Sequence, residues 1–330
     1  ASWQYDSNQK NAWFGWSVGA AGDVNGDSFA DIIVGAPLYE DTTVMTPTLE
    51  EGAVFVFYGS ANGLPDQPSW LALGGKIEAQ LGRSVSGAGD VNGDGYADII
   101  AGAPSYAGVG RAVVYHGGDE GEDGGLEQTP AWSTLGSQKD AGFGYAVAGA
   151  GDVNNDGFDD VIVSAPGISM TLGTQVVKGA AYVFLGSPQG LSTTPATMIG
   201  NSQVYALFGY RVAGAGDVNK DGYADVLISA PKYDGDQPDE GAVFLYYGGL
   251  VGTSSTPGFT AYGDKAYAEL GWGLGGAGDV NFDGFADFIA GAPIYKLDDK
   301  TPVGRAMAYY GDDSGDPGGI IAIFLPLVNR

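Results

Sequence analysis

One 24-residue pattern occurs five times in this chain, and no other feature limits the possible folds as strongly. Each copy begins with Phe-Gly or Leu-Gly, passes through Gly-Asp-Val-Asn and ends at Ala-Pro. The copies align without gaps at 14–37, 81–104, 143–166, 208–231 and 270–293. Their first aspartates are Asp23, Asp90, Asp152, Asp217 and Asp279, so the period is 62 to 67 residues. A fixed period of this length indicates an array of similar structural units.

The sequence predicts four strands in each unit. Strand A follows the Phe-Gly or Leu-Gly pair, and strand B is the apolar run that ends at Ala-Pro. Strand C is rich in β-forming residues and is bracketed by Gly52–Gly59, Gly110–Gly117, Gly179–Gly186, Gly241–Gly248 and Gly304–Gly311. Strand D carries Trp3, Trp70, Trp132, Thr197 or Phe259, always 12 residues before the Gly of the pair. No helical period is visible, so the chain is expected to be an all-β β-propeller of five four-stranded blades.

The two ends of the chain extend this prediction. Trp3 matches strand D although no other strand precedes it, and no such strand is recognised after Gly311. We expect the N-terminal strand to complete the last blade, which closes the ring and removes an exposed sheet edge. Residues 1–311 then form a single propeller domain. Residues 312–330 are a tail that acts as a linker, an extra strand or a docking segment.

An acidic pattern, D-x-N-x-D-x-x-x-D, separates strands A and B in every copy. We name these segments loops 1 to 5; they are residues 23–31, 90–98, 152–160, 217–225 and 279–287. Oxygen ligands on alternate residues of a tight turn suit Ca²⁺, a hard cation that takes about 6 to 8 oxygens. The predicted side-chain ligands are Asp23, Asn25, Asp27 and Asp31; Asp90, Asn92, Asp94 and Asp98; Asp152, Asn154, Asp156 and Asp160; Asp217, Asn219, Asp221 and Asp225; Asp279, Asn281, Asp283 and Asp287. The predicted carbonyl ligands are Phe29, Tyr96, Phe158, Tyr223 and Phe285. About five Ca²⁺ ions are therefore expected, one per blade.

Other interpretations of the loops are weaker. An EF-hand also needs Glu at its twelfth position and flanking helices, and neither is present here. A chain with no Cys and one His is a poor candidate for zinc, and Mg²⁺ tolerates a crowded protein cage less well. The remaining alternative is an Asp-rich turn that binds nothing. Against it, two carboxylates about 5 Å apart repel by roughly 3 kcal/mol at an effective dielectric near 20.

One loop departs from the others. Ser28 stands where Gly95, Gly157, Gly222 and Gly284 occupy the other four loops. If this position needs a positive φ, loop 1 is strained and is expected to bind more weakly.

The charge of the chain limits its partners. There are 40 acidic and 14 basic residues, a formal net charge of −26. Such a chain repels nucleic acid and anionic membranes, so neither is expected as a partner. No apolar run approaches the ~18 residues that a membrane helix needs.

The repeated FG…DVNGDG…GAP pattern resembles the FG-GAP repeats of integrin α-subunit N-terminal propellers and their bacterial relatives. The resemblance implies a β-propeller with Ca²⁺ in the loops between strands A and B, on the lower face. It implies a secreted or cell-surface protein that acts in adhesion or as a lectin. Integrin propellers have seven blades, whereas this chain has five units, so no integrin ligand residues are transferred.

In the family arrangement, the loops between strands B and C and between strands D and A form the upper face. The residue after each Phe-Gly or Leu-Gly pair is Trp16, Arg83, Tyr145, Tyr210 or Trp272. The arrangement places these residues around the upper mouth, where aromatic rings and one Arg suit a sugar or a peptide. The alternative is that they pack one blade against the next.

Catalysis has little support in the sequence, and we expect no enzyme activity. Neither a nucleophile elbow nor a Walker loop is present, and His116, the only His, is expected to be a satisfied structural residue. Three functions remain: an adhesion or protein-interaction module, a lectin, and a structural subunit of a surface assembly. In the third, the apolar segment 320–328 docks on a neighbour, which makes the tail a candidate for self-association.

Overall fold

The structure, a computed structural model, describes residues 3–42, 49–119, 124–172, 175–297, 301–312 and 320–321. The described residues form β-strands and one short 3-10 helix, Tyr106–Gly108. The first ten strands are β1 Ser17–Gly22, β2 Asp31–Ala36, β3 Ala53–Phe57, β4 Trp70–Leu73, β5 Ser84–Gly89, β6 Asp98–Ala103, β7 Arg111–Tyr115, β8 Trp132–Leu135, β9 Val147–Gly151 and β10 Asp160–Leu172. The others are β11 Gln175–Phe184, β12 Thr197–Gly200, β13 Val212–Gly216, β14 Asp225–Ala230, β15 Ala242–Tyr246, β16 Phe259–Tyr262, β17 Gly273–Gly278, β18 Asp287–Ala292, β19 Arg305–Tyr309 and β20 Ile320–Ile321.

These strands form five four-stranded sheets, each from strands that are consecutive in the chain. Their orders are β1-β2-β3-β4, β5-β6-β7-β8, β9-β10-β11-β12, β13-β14-β15-β16 and β17-β18-β19-β20. The registers given for these sheets are antiparallel throughout. The predicted fold class is confirmed: the chain is all-β, with five four-stranded blades of a β-propeller.

Contacts divide the chain into two compact units. The first comprises Ala1–Gly149, Gly157–Ile168 and Phe184–Pro195, and the second comprises Ala150–Asp156, Ser169–Val183 and Ala196–Arg330. Blades one and two lie entirely in the first unit, and blades four and five lie entirely in the second.

The core of the first unit lies between the facing sides of blades one and two. Ile33 and Val56 of blade one belong to the same buried cluster as Ile99 and Val113 of blade two. Strands that are covered on both faces need apolar residues without interruption, which explains runs such as DIIAGA in β6. Aromatic rings extend this packing: the ring of Trp70 meets that of Tyr115 edge-on, with centroids 4.7 Å apart.

The second unit has an equivalent core. Leu227 and Leu245 of blade four pack in one buried cluster with Phe288 and Met307 of blade five. The rings of Phe288 and Tyr309 stack at a centroid distance of 4.7 Å.

The last blade corrects one sequence prediction. Its fourth strand is β20, which pairs with β19 through Ile321 and Ala308 and through Ile320 and Tyr309. The sequence analysis expects the N-terminal segment in that place, but residues 3–9 form no strand. Within the predicted tail, a pair of β-branched residues occupies the edge of β19 instead. The other tail residues, apart from Asp312, lie outside the described residues.

The N-terminal segment nevertheless reproduces the side-chain contacts of a fourth strand. The ring of Trp3 meets that of Phe57 edge-on at 5.0 Å, as Trp70 meets Tyr115 at 4.7 Å. The indole N–H of Trp3 donates to the carbonyl of Pro65 at 2.8 Å. The aligned aromatic position was therefore correctly identified, although the strand was not.

One predicted loop is mostly strand. In the third repeat, the sequence analysis ends strand B at Pro166 and begins strand C at Gly179, so residues 167–178 are expected to form a loop. In the structure β10 runs to Leu172 and β11 begins at Gln175, so the third blade carries a longer ribbon than the others. The segment is rich in Val, Ile, Thr and Met, which favour an extended backbone. No helix in the described residues is long and apolar enough to cross a membrane.

Candidate functional site

The five loops share one backbone conformation. Counting from the first aspartate, positions 4 and 6 have positive φ in every loop. Position 4 is Gly26, Gly93, Asn155, Lys220 or Phe282, with φ between 56° and 75°. Position 6 is Ser28, Gly95, Gly157, Gly222 or Gly284, with φ between 71° and 93°. The condition named for position 6, a positive φ, is met in every loop, and Ser28 adopts it without being glycine.

Side-chain oxygens line the inside of each turn, as loop 4 illustrates. The backbone N–H of Asp221 donates to Oδ1 of Asp217 and to Oδ1 of Asn219, both at 3.1 Å. The N–H groups of Gly222 and Tyr223 donate to Asp217 at 2.9 Å and to Asp221 at 3.0 Å. Loops 1, 2 and 5 repeat all of these bonds. Loop 3 repeats those made by the N–H of Asp156.

The aspartate at position 9 has a different environment. Asp31, Asp98, Asp160, Asp225 and Asp287 are fully buried at the start of strand B. In loop 4, Asp225 accepts the N–H of Val218 at 3.0 Å and that of Gly248, after strand C, at 2.9 Å. These two bonds fasten the loop to its own blade.

Burial makes the charged form of this aspartate costly. It raises the pKa of Asp98 and of Asp225 from an ordinary value of 3.8 to about 7, partly offset by the two backbone hydrogen bonds. The nearby carboxylates of the same loop raise the pKa further. The pKa of Asp31 is raised for the same reasons.

The donor chemistry of the loops suits a hard cation. Each loop brings two aspartates and an asparagine to one turn, and each carboxylate oxygen keeps a lone pair after it accepts one N–H. In the described residues, the observed salt bridges join Lys232 to Asp239 and Glu269, and no Lys or Arg pairs with the carboxylates of loops 1, 2, 4 and 5.

The side chains themselves do not stand as a closed metal cage. Among the described residues, no group of three or more His, Cys, Asp or Glu side chains is arranged to hold a metal ion. At position 9, each of the two carboxylate oxygens accepts one backbone N–H, as Asp98 shows. The predicted ligand types are therefore brought together on one turn, while their coordination of Ca²⁺ stays a prediction.

Adjacent loops are tied to each other. The N–H at position 8 of one loop donates to the position-1 carbonyl of the loop before it, at 3.0 Å in each case: Ala97 to Asp23, Asp159 to Asp90, Ala224 to Asp152 and Ala286 to Asp217. The position-7 ring lies over position 4 of the preceding loop. A Cβ added at Gly26 would lie 2.6 Å from the ring of Tyr96, and one at Gly93 would lie 2.5 Å from that of Phe158.

The predicted upper-face residues largely contact one another. In the first unit the guanidinium of Arg83 lies 4.7 Å from the ring centroid of Trp16 and 4.5 Å from that of Tyr145. It also donates to the Tyr145 hydroxyl at 2.8 Å. Packing of one blade against the next, the alternative given in the sequence analysis, therefore accounts for much of the contact that Arg83 and Tyr145 make.

The second unit contains the other two predicted upper-face residues. The rings of Tyr210 and Trp272 meet edge-on at 4.7 Å. The indole N–H of Trp272 donates to Glu269, a buried carboxylate that also pairs with Lys232. The hydrogen bond that Lys232 donates to Glu269 raises the pKa of Lys232.

The sequence analysis missed a regular turn before strand A. Its centre is a buried alanine two residues before each Phe-Gly or Leu-Gly pair: Ala12, Ala79, Ala141, Ala206 and Ala268. The residues on either side of this alanine have positive φ in every repeat: Asn11 and Trp13, Glu78 and Gln80, Asp140 and Gly142, Tyr205 and Leu207, Tyr267 and Glu269. The alanine spacing was visible in the sequence and could have revealed this turn. It brings Trp13 against Trp16 with ring centroids 4.9 Å apart.

No catalytic arrangement is found in the part of the chain that the structure describes. Nε2 of His116 is buried without a hydrogen-bond partner there, so the expectation of a satisfied histidine is not met. Nε2 would lie 3.3 Å from a Cβ added at Gly190, which shows how closely the ring is packed.

Fold and loops together define a protein of repeated four-stranded blades, each with an acidic turn between its first two strands. The family model for the FG-GAP repeat matches residues 14–57, 81–115, 143–184 and 208–246. The chain belongs to the proteins that carry FG-GAP repeats, and residues 270–293 add a fifth copy by the same pattern.

Integrin alpha chains and a phospholipase D are among the curated proteins with similar sequences. The chain is 29% identical to integrin alpha-5 of Xenopus laevis over 240 residues, which is 69% of this chain and 21% of that protein. It is 29% identical to integrin alpha-V of Gallus gallus over 238 residues, 67% of this chain and 20% of that protein. It is 32% identical to phosphatidylinositol-glycan-specific phospholipase D of Bos taurus over 308 residues, 87% of this chain and 35% of that protein. The chain thus spans about a third or less of these relatives.

Proposed function

We propose that the protein is a calcium-binding β-propeller that acts outside the cell, secreted or at the cell surface, as an adhesion or protein-interaction module. Ca²⁺ is held by loops 1 to 5 and has a structural role. The part of the chain that recognises a partner is the side opposite the loops.

The buried aspartate at position 9 carries the calcium proposal. Five copies are fully buried, each within a few residues of two further carboxylates. A buried carboxylate is costly unless it is paired, and no Lys or Arg pairs with those of loops 1, 2, 4 and 5. A divalent cation bound by the oxygens of positions 1, 3, 5 and 9 and by the carbonyl of position 7 would neutralise this charge.

Calcium removal tests this part of the proposal. Ligand binding to the folded state at 100 times its dissociation constant stabilises by about 2.7 kcal/mol per site, so five sites should raise Tm by more than about 10 °C. The measurement is thermal unfolding in EDTA, in CaCl₂ and in MgCl₂, with titration calorimetry for the stoichiometry. A Tm that is equal in EDTA and in CaCl₂ would contradict the proposal.

The relatives bear on the proposed binding role only through the region that they share with this chain. The aligned region covers 69% and 87% of this chain but only 21% and 35% of integrin alpha-5 and the phospholipase D, so the larger part of each relative is not shared. Exposed aromatic side chains in the turns before strand A offer contact area for a partner, with Tyr205 86% and Tyr267 51% exposed.

An interaction screen with two variants tests the binding role. Purified protein is immobilised and exposed to an array of purified extracellular proteins in CaCl₂ and in EDTA. We expect a calcium-dependent partner whose affinity falls about tenfold in Tyr205→Ala. Phe282→Ala, which removes a 93% exposed ring from loop 5, is the matched control and should bind normally. Absence of any partner, or equal loss in both variants, would contradict the proposal.

A further inference from the structure

The first repeat presents an aromatic surface that has no equivalent in the other repeats. Trp13 and Trp16 stack with centroids 4.9 Å apart and planes 19° apart, and they are 51% and 46% exposed. The guanidinium of Arg83 lies against Trp16 at 4.7 Å and is itself backed by Tyr145 at 4.5 Å. The pair is therefore supported by Arg83 and remains about half exposed to solvent.

The backbone holds this surface in a fixed position. Trp13 has a φ of 56°. The turn from Trp13 to Trp16 is closed by a hydrogen bond from the N–H of Trp16 to the carbonyl of Trp13 at 3.0 Å. Ala12, beside it, is buried, and its carbonyl accepts the N–H of Leu38 at 3.2 Å. A rigid aromatic platform loses little entropy when a ligand binds, so its exposed area is available for affinity.

Polar groups with free hydrogen-bonding capacity surround Trp13. A shallow groove of about 580 Å³ is lined by residues 6–14. Asn8 and Asn11 are exposed there, and their amide groups make no hydrogen bond in the described part of the chain. Gln9 is different: it donates to the carbonyl of Glu40 and accepts its N–H, both at 2.7 Å, which fastens the segment to the blade.

The chemistry of this surface matches a neutral sugar. An exposed indole face packs against the C–H face of a pyranose ring, and neutral amides can both donate to and accept from its hydroxyls. Asp6 and Lys10 in the same groove carry opposite charges, and the formal net charge of −26 disfavours an anionic glycan. A proline-rich peptide would need a groove between aromatic ridges, whereas these two rings form a single stack.

We propose that Trp13 and Trp16, with Asn8 and Asn11, form a binding site for a neutral hexopyranose residue of a glycan. The indole of Trp13 supplies the stacking surface and the two asparagine amides bind hydroxyl groups. This site is separate from the acidic loops, and it does not depend on the proposed protein partner.

Binding of defined oligosaccharides tests the site. The probes are maltohexaose, cellohexaose, laminarihexaose and mannohexaose, titrated into the calcium-saturated chain with tryptophan fluorescence and saturation-transfer NMR as readouts. We expect at least one probe to bind with a Kd of about 0.1–1 mM, as a single stacked sugar would. Trp13→Ala and Asn11→Ala should each weaken that binding about tenfold or more.

Matched variants separate recognition from folding. Phe282→Ala removes a 93% exposed ring from loop 5 that belongs to neither the proposed sugar site nor the proposed protein-binding surface, and it should bind the probe normally. Trp13→Phe should retain part of the affinity, and all variants should keep the calcium-dependent Tm of the unchanged chain. The proposal is overturned if no neutral probe binds, if binding survives Trp13→Ala, or if a decaproline peptide competes for Trp13 more strongly than any sugar. A failure of the calcium proposal would instead appear in Tm alone.

Discussion

Position 6 of the acidic loops shows how a single residue affects a proposed metal site. Its φ is 71° at Ser28 and between 88° and 93° at Gly95, Gly157, Gly222 and Gly284. A side chain in the left-handed region costs roughly 1–2 kcal/mol, which glycine avoids. Loop 1 bears this cost in the folded state, although the N–H of Ser28 still donates to Asp23 at 2.8 Å.

Replacing this serine should therefore stabilise the protein. We expect Ser28→Gly to raise the free energy of unfolding of the calcium-saturated chain by about 0.5–1 kcal/mol, after the extra chain entropy of glycine is subtracted. Chemical denaturation measures it. Gly95→Ser in loop 2 is the matched control, because a Cβ there meets no atom within 4 Å and only the backbone conformation changes. Shifts of the same sign in both variants would contradict the argument.

Residue identities at the loops could be predicted from sequence, but residue contacts could not. The pattern located Asp98 and Asp225, yet it did not reveal that both oxygens of each accept backbone N–H groups. One bond comes from a glycine after strand C, 19 residues after Asp98 and 23 after Asp225. Trp13 was missed for a similar reason: its partner Trp16 was recognised by alignment, whereas Trp13 differs in every other repeat.

At the scale of elements, the loops are connected in series. The N–H of the position-8 residue of one loop donates to the carbonyl of the position-1 aspartate of the loop before it. The position-8 residue is Ala97, Ala224 or Ala286 in three cases and Asp159 in the fourth. Oδ2 of Asp159 accepts the N–H of Asp90 at 2.9 Å and would lie 2.1 Å from a Cβ at Gly89, so this carboxylate is packed against the start of loop 2.

Asp159 should therefore strengthen loop 2. It adds a carboxylate beside the loop and orients Asp90, and hydrogen bonds to charged groups contribute about 1.5–3 kcal/mol. We expect Asp159→Ala to lower the metal affinity of loop 2 about tenfold. Terbium luminescence measures it, because position 7 is tyrosine only in loops 2 and 4, and the Tyr96 ring belongs to loop 2 while also lying against Gly26 of loop 1.

Two tyrosine variants assign that signal. Tyr96→Phe should remove the emission that Tyr96 sensitises in loops 1 and 2, and Tyr223→Phe the emission that Tyr223 sensitises. The emission sensitised by Tyr223 then serves as the internal control in Asp159→Ala. An equal loss of affinity at both loops would show that the substitution acts on the whole fold and not on loop 2.

Strand assignment succeeded where the repeat itself carries the signal. Strands A and B are confirmed in all five blades because alternating small and β-branched residues recur in register with the acidic loop. The prediction of the fourth strand in the last blade was wrong because β20 belongs to no repeat. The pairing of β20 with β19 depends on a partner more than 10 residues away. The extension of β10 and β11 was missed because, among the residues that the structure describes, it is seen in the third blade and is not part of the repeat.

At the scale of the whole molecule, the buried aspartates link stability to pH and to calcium. Without metal, burial raises the pKa of Asp98 and Asp225 from an ordinary 3.8 to about 7. A carboxyl whose pKa is raised by folding stabilises the protein fully below its unfolded pKa, and this contribution is lost as pH rises through its folded pKa. The metal-free chain should therefore lose stability between about pH 4 and pH 7, by at most roughly 4 kcal/mol for each of the two groups.

Calcium should reverse this dependence, because a bound cation favours the ionised carboxylate and protons compete with it. We expect Tm in EDTA to fall as pH rises from 5 to 8, and the increment in Tm caused by calcium to grow over the same interval. Asp98→Asn, which resembles the protonated carboxyl, should reduce the pH dependence in EDTA and part of the calcium increment. Differential scanning calorimetry across this pH range measures both. A calcium increment that is equal at pH 5 and pH 8 would show that the buried aspartates do not take part in binding the metal, even if calcium stabilises the protein.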